Sequence, residues 1–185
     1  MKYRKPTKAI ITDAGCASRF LPITKTVPKA MLPIGAKPIM QLVVEECANA
    51  GIEEIIIVAT AEGKPIYEDY FYNAATKIKK QLASQGKDDR YAPIANLMEL
   101  PKIVVIEQDP SYPYGNGSPI ASARKFIDDD EAFVALYSDD VVFGTSDVKT
   151  LIEAYERNPE AKAVIIAQKM PIEVLNKYGI IRLAD

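Results

Sequence analysis

The run Glu53-Glu-Ile-Ile-Ile-Val-Ala-Thr60 constrains the fold more than any other stretch of this chain. Its apolar residues are continuous rather than alternating, which suits a strand buried on both faces, and therefore a parallel sheet covered by helices. Comparable runs at Ala9 to Thr12, Ile103 to Glu107, Ala132 to Tyr137, Ala161 to Ala167 and Tyr178 to Arg182 are expected to be strands too. Helical patterns lie between them. Pro38 opens one through Ile39, Leu42, Val43, Glu46, Cys47 and Ala50, and Gly51 ends it as a C-cap. Gly63 to Gly86 suits a long helix or a broken pair with a weak point at Asn73. Pro93 to Leu100 suits a short helical turn, Pro119 to Phe126 and Pro171 to Lys177 further helices, and Asp147 is expected to cap a helix through Tyr155.

Alternating strands and helices predict an α/β, Rossmann-like open sheet, mostly parallel, with right-handed crossovers and helices on both faces. Such sheets bind ligands at the carboxyl ends of their strands, near the point where strand order reverses. The loops Ala14 to Arg19, Gln108 to Gly117 and Ser138 to Asp140 all fall at that edge. The 185 residues suit one domain. A net charge of −2 argues against a nucleic-acid surface. No apolar run approaches a membrane span and no signal-peptide core opens the chain, so a cytoplasmic location is expected. With no histidine and two distant cysteines, Cys16 and Cys47, zinc sites and Ser-His or Cys-His catalysis are excluded.

The chemistry concentrates between Lys8 and Pro38. A β-branched strand runs into the small residues Ala14, Gly15, Ala17 and Ser18, where backbone N–H groups can approach an anion closely. Arg19, Lys25 and Lys29 follow on a proline-rich arm that cannot form a regular element and that supplies mobile positive charge around the same point. A polyphosphate is the guest these residues suit. A strand-end turn of this kind is also common without a ligand, so spacing alone leaves both readings open.

The string Arg19-Phe-Leu-Pro-Ile-Thr-Lys-Thr-Val-Pro-Lys-Ala-Met-Leu-Pro33 resembles the signature of the sugar-1-phosphate nucleotidyltransferases, most closely that of the bacterial-type UTP–glucose-1-phosphate uridylyltransferases. The resemblance extends from about Lys8 to Arg182. It implies transfer of a uridylyl group from UTP to glucose 1-phosphate, giving UDP-glucose and pyrophosphate, with Mg2+ as cofactor. By the same resemblance, Ala14 and Gly15 lie against base and ribose with Ser18 in the nucleotide loop, Arg19 stabilises the leaving pyrophosphate and Lys29 holds the transferred phosphate. Gln108 reads the base beside the Gly115 backbone, Asp139 is the metal ligand, and Asp140 and Gly179 face the sugar.

The chain also departs from that pattern. Ala17 stands where the family has glycine, Ser18 where it has threonine, Asp13 where it has an apolar residue, and Ala30 where an acidic one is common. Alanine at a left-handed position costs about 1 to 2 kcal/mol. Family members continue past the last matched residue with a second metal aspartate and a sugar-phosphate lysine, so the 185 residues are expected to be the nucleotide-binding part of such an enzyme. An uncovered C-terminal edge is then expected to favour a homo-oligomer or a partner chain. A non-catalytic nucleotide-binding or regulatory module is the competing reading. A dinucleotide-binding oxidoreductase is disfavoured, because no Gly-x-Gly-x-x-Gly run opens the first helix.

Overall fold

The computed structural model describes residues 5–15, 17–92, 99–177 and 179–181. Its centre is a parallel sheet of β1 (Lys8–Asp13), β4 (Glu54–Ala59), β5 (Lys102–Glu107) and β6 (Phe133–Tyr137), in the order β5-β4-β1-β6. Two short antiparallel strands, β2 (Pro33–Ile34) and β3 (Lys37–Pro38), form a separate ribbon before helix α1 (Ile39–Asn49). Helices α2 (Lys64–Glu68) and α3 (Ala74–Ser84) flank a π-helical turn at Asp69–Asn73, where the weak point was expected. Helices α4 (Gly117–Ser122) and α5 (Asp147–Arg157) precede and follow β6.

The isoleucine run of β4 lies in the middle of the sheet, and its alternate residues serve opposite faces. Ile55 and Ile57 join Ala9 and Ile11 under α1 and α5, packed on Val43, Val44, Cys47, Val148 and Ile152. Ile56 and Val58 join Ile10 on the other face, covered by Ala123 and Ile127 after α4. Burying each isoleucine contributes about 1.5 to 3 kcal/mol, which is why this run tolerates no polar residue. Helix α1 ends as expected: Gly51 has φ 88° and Ile52 N donates back to Cys47 O (3.1 Å), closing a Schellman-type terminus.

Several expectations are corrected. The cap of α5 is Ser146, whose extended backbone lets Oγ accept from Lys149 N (3.1 Å); Asp147 is already helical, and its carboxylate sits in the first turn. Ser146 Oγ and Val148 N both donate to Glu46 Oε1 (2.8 and 3.1 Å), which ties α5 to α1. The run Ala161 to Ala167 is not a strand: it pairs with no strand among the described residues, and Ile165 and Ile166 are exposed. Its β-branched composition suits a strand, but a strand also needs a neighbour, and among the described residues β6 pairs only with β1. Residues 179–181 are likewise irregular, with Tyr178 and Arg182 outside the described residues. The turn expected at Pro93 to Leu100 falls largely on residues 93–98, also outside them. The short helix expected over Pro171 to Lys177 is present at Ile172–Lys177, in 3-10 form.

Candidate active site

Strand order reverses between β1 and β6, since β1 leads to β4 and β5 on one side and is joined on the other by β6, the last of the described strands in sequence. The crevice predicted for such a fold opens beyond the carboxyl ends of those two strands. A pocket of 240 Å3 lies there. The ends of β1 and β6 and the loop before α4 supply its walls, with Ala14, Gly15, Gln108, Gly115, Lys29 and Asp139 among the lining residues.

Each group is placed by a local device. Lys29 stands on a 3-10 turn, Lys29–Met31, whose Ala30 is fully buried against the core that includes Met40. An acidic side chain at position 30 would have no solvent here. Gln108 follows β5 directly, and its N–H donates to Ala59 O (2.9 Å), so the side chain leaves from the sheet edge. The loop after it is braced by serines of α4: Asp109 N donates to Ser122 Oγ (3.0 Å), and Ser118 Oγ donates to Pro113 O. Ser138 continues the β6 ladder through Ser138 N to Thr12 O (3.1 Å), which presents the next residue, Asp139, to the pocket. Lys29 Nζ and Asp139 form an ion pair across it.

The loop after β1 takes the strained route that its sequence foreshadows. Ala17 has φ 43° and ψ 43°, a left-handed conformation, and its carbonyl accepts from Phe20 N (3.0 Å) and Thr24 Oγ1 (3.0 Å). Ser18 and Arg19 form the 3-10 turn that follows; both are exposed and outside the pocket lining. Asp140 and Gly179 also lie outside the lining, Asp140 one residue beyond Asp139 and Gly179 exposed in the irregular segment. Partial burial raises the Asp140 carboxyl above its usual range, with Asp139 and Asp147 adding to the shift and Lys29 opposing it.

Asp13 does not project freely at a bound anion. Tyr67, a fully buried residue of α2, donates its hydroxyl to Oδ2, and Ser138 Oγ donates to Oδ1 at 2.6 Å. Burial raises the Asp13 carboxyl above its usual range, against the two hydrogen bonds and Lys29, which favour the charged form. Burial and the facing carboxylate also push the Tyr67 phenol well up. Motif reading missed Tyr67 and, though it placed their loops at the ligand edge, gave no role to Ser138 or to the exposed Tyr114 that lines the pocket. The last two could have been found from their places at a strand end and in the Gln108 loop.

Among the described residues, no group of three or more acidic, cysteine or histidine side chains could cage a metal ion. Of the two carboxylates that line the pocket, Asp13 accepts hydrogen bonds from the protein on both oxygens, and Asp139 is the more exposed donor. That donor set fits Mg2+, which usually takes one or two carboxylates and completes its shell with water and substrate phosphates. It would not fit a cation needing a closed protein cage.

A parallel sheet with a switch-point pocket, lined by small-residue backbone, the amides of Gln108 and Asn116, Lys29 and the carboxylates of Asp13 and Asp139, has the architecture of an open α/β domain with its ligand crevice at the strand ends. Comparison with known proteins carries this further. Residues 8–185 match the nucleotidyl transferase family, and the chain belongs to it. It is 44% identical over 179 residues to UTP–glucose-1-phosphate uridylyltransferase 2 of Staphylococcus saprophyticus, covering 96% of this chain and 60% of that one. The uridylyltransferase of Bacillus subtilis is 39% identical over 179 residues, with 96% and 59% covered. Among solved structures, a UTP-bound UGPase from Acinetobacter baumannii superposes with TM-score 0.74 at 29% identity, covering 83% of this chain and 54% of that one. A UDP-glucose pyrophosphorylase complexed with UDP-glucose gives 0.66 at 32% identity, covering 83% and 55%. The chain thus spans about 60% of the length of the curated relatives it matches.

Proposed function

We propose that this chain binds UTP in the pocket between β1 and β6 and serves uridylyl transfer to glucose 1-phosphate, yielding UDP-glucose and pyrophosphate. The observation that carries the reading is the convergence of Ala14, Gly15, Gln108, Gly115, Lys29 and Asp139, from loops far apart in sequence, on one switch-point pocket. The attacking phosphate oxygen needs no general base, because the second pKa of a phosphate monoester is about 6. What the reaction needs is in-line positioning and neutralised charge. In this reading the amide of Gln108 pairs a donor and an acceptor with the uracil edge, and Lys29 holds the transferred phosphate. Asp139 would hold Mg2+, which when bound would neutralise phosphate charge. Arg19 and Ser18 meet the phosphates from the flanking turn, while Asp140 and Gly179 face the sugar.

A second reading, nucleotide binding without turnover, is favoured by the position of Arg19 outside the pocket lining. Titration calorimetry with UTP, CTP and ATP, with and without Mg2+, combined with pyrophosphate release from UTP and glucose 1-phosphate, separates the two. Binding of UTP with release of pyrophosphate supports transfer. Binding without release supports the second reading, and no binding of any nucleotide refutes both. Asp139→Asn should abolish most of the Mg2+ enhancement of UTP binding, while Asp147→Asn should not.

The same proposal includes a second copy or a partner chain against the edge strand β6, where Phe133 and Tyr137 are exposed on one face of the sheet, and against the exposed Ile165 and Ile166. Sedimentation across a concentration series tests it; a strictly monomeric chain refutes self-association. No helix among the described residues is long and apolar enough to cross a membrane, and the proposed location is the cytoplasm.

A further inference from the structure

Asp13 is the one carboxylate of the pocket already engaged by the protein on both oxygens. Its donors come from two elements that the sheet alone does not join. Tyr67 is on α2, beyond the end of β4, and its side chain is completely buried. Ser138 is at the end of β6, 1% exposed, and is the residue immediately before Asp139. Tyr67 Oη donates to Asp13 Oδ2, and Ser138 Oγ donates to Oδ1 at 2.6 Å. A shared acceptor therefore brackets α2, β1 and the start of the Asp139 turn together. On the far side of that turn, Asp139 is held by Lys29. Among the described residues the turn has no other side-chain hydrogen bond on the sheet side: Ser138 N bonds to Thr12 O and Asp140 N to Tyr137 O (3.1 and 3.3 Å), both through backbone.

A carboxylate is a demanding choice for such a bracket. It stands in a pocket read as a phosphate site and is half-buried, at a cost that an apolar residue would avoid. What it supplies is two acceptors in one plane at once, which neither an apolar side chain nor a single hydroxyl offers.

Building on the uridylyl-transfer reading, we propose that Asp13 is a positioning residue: through its paired bonds to Tyr67 and Ser138 it sets the place of Asp139, and so governs the Mg2+-dependent share of UTP binding. Asp13 itself holds no metal in this arrangement. The Mg2+-free contacts, made by Gln108 and the backbone of Ala14 and Gly15, do not pass through the bracket.

The test is calorimetric titration of UTP in Mg2+ and in EDTA, for the wild type, Asp13→Asn and Tyr67→Phe, with thermal unfolding of each. Asp13→Asn replaces one acceptor by a donor; Tyr67→Phe removes one bond while leaving the charge at position 13 intact. Both variants are expected to lose at least fivefold of the enhancement by Mg2+, with affinity in EDTA unchanged or, for Asp13→Asn, tighter. Should Asp13→Asn fail to fold, Tyr67→Phe decides alone. Full Mg2+ enhancement in the folded variants overturns the proposal, as does an equal loss of affinity in Mg2+ and EDTA, which would mark Asp13 as a prop for the fold. Absence of any UTP binding by the wild type overturns the functional reading, and this proposal with it.

Discussion

Replacing Ala17 by glycine should make the protein more stable. At φ 43° and ψ 43°, Ala17 holds a conformation in which its Cβ crowds the following carbonyl. For an L-residue with a side chain this costs about 1 to 2 kcal/mol. Glycine escapes that cost but gains freedom in the unfolded chain worth about 0.4 to 1 kcal/mol. The difference leaves Ala17→Gly more stable by about 0 to 1.6 kcal/mol, centred near 0.8, or about 2 to 3 °C in Tm at that centre for a chain of this length. The conformation is held in place rather than merely sampled, because Phe20 N and Thr24 Oγ1 both bond to Ala17 O. Valine, β-branched and therefore less tolerant of positive φ, should reverse the sign. Urea unfolding of the three proteins should rank them glycine, alanine, valine. A glycine variant clearly less stable than the wild type would refute the left-handed assignment, and with it the account of how this loop departs from β1.

Gln108→Ala should weaken UTP binding by about 1 to 3 kcal/mol and flatten the preference for UTP over CTP and ATP, since the buried base edge loses its partner; unchanged selectivity in calorimetric titrations would remove Gln108 from the base site. The raised Asp13 carboxyl makes the folded state bind more protons than the unfolded chain as pH rises above the ordinary aspartate value of about 4. Stability should therefore fall through that window in the wild type relative to Asp13→Asn, and parallel pH profiles of unfolding free energy for the two proteins would contradict this. Cys47 is buried in α1 and its thiol is pushed up to about 12, mainly by burial. In a Cys16→Ser background it should resist iodoacetamide until urea unfolds the chain; rapid labelling of the native protein would contradict the packing of α1.

How far the sequence could be read depended on whether a feature's cause was local. The isoleucine run of β4, the Gly51 terminus of α1 and the break near Asn73 carry their causes within a few residues, and all three appear where their patterns predict them. The run Ala161 to Ala167 looks equally strand-like, yet its fate rests on a neighbour that no local pattern specifies. In the pocket, Lys29, Gln108 and Asp139 were legible because strand ends and motif marked them. Tyr67 was not, since in the sequence it reads only as one more apolar position on a helix. Its role comes from a hydroxyl reaching Asp13, 54 residues earlier. Asp13 was legible only as a departure from the family pattern, because the two donors that hold it, Tyr67 and Ser138, lie 54 and 125 residues away.

The pairing of β1 with β6 bears on how the molecule assembles. Asp13 and Ser138 are 125 residues apart, and Lys29 and Asp139 are 110 apart. Closing a flexible loop of that length costs on the order of 4 kcal/mol in chain entropy before any contact offsets it. The β1–α1–β4 unit, by contrast, closes over fewer than 50 residues. That unit can form early, whereas β6 docks late, since distant pairings are slow to find. The pocket thus exists only once β6 is seated. A ligand that fills it acts on this late step of folding, and its binding stabilises the β1–β6 pairing as a whole rather than one loop.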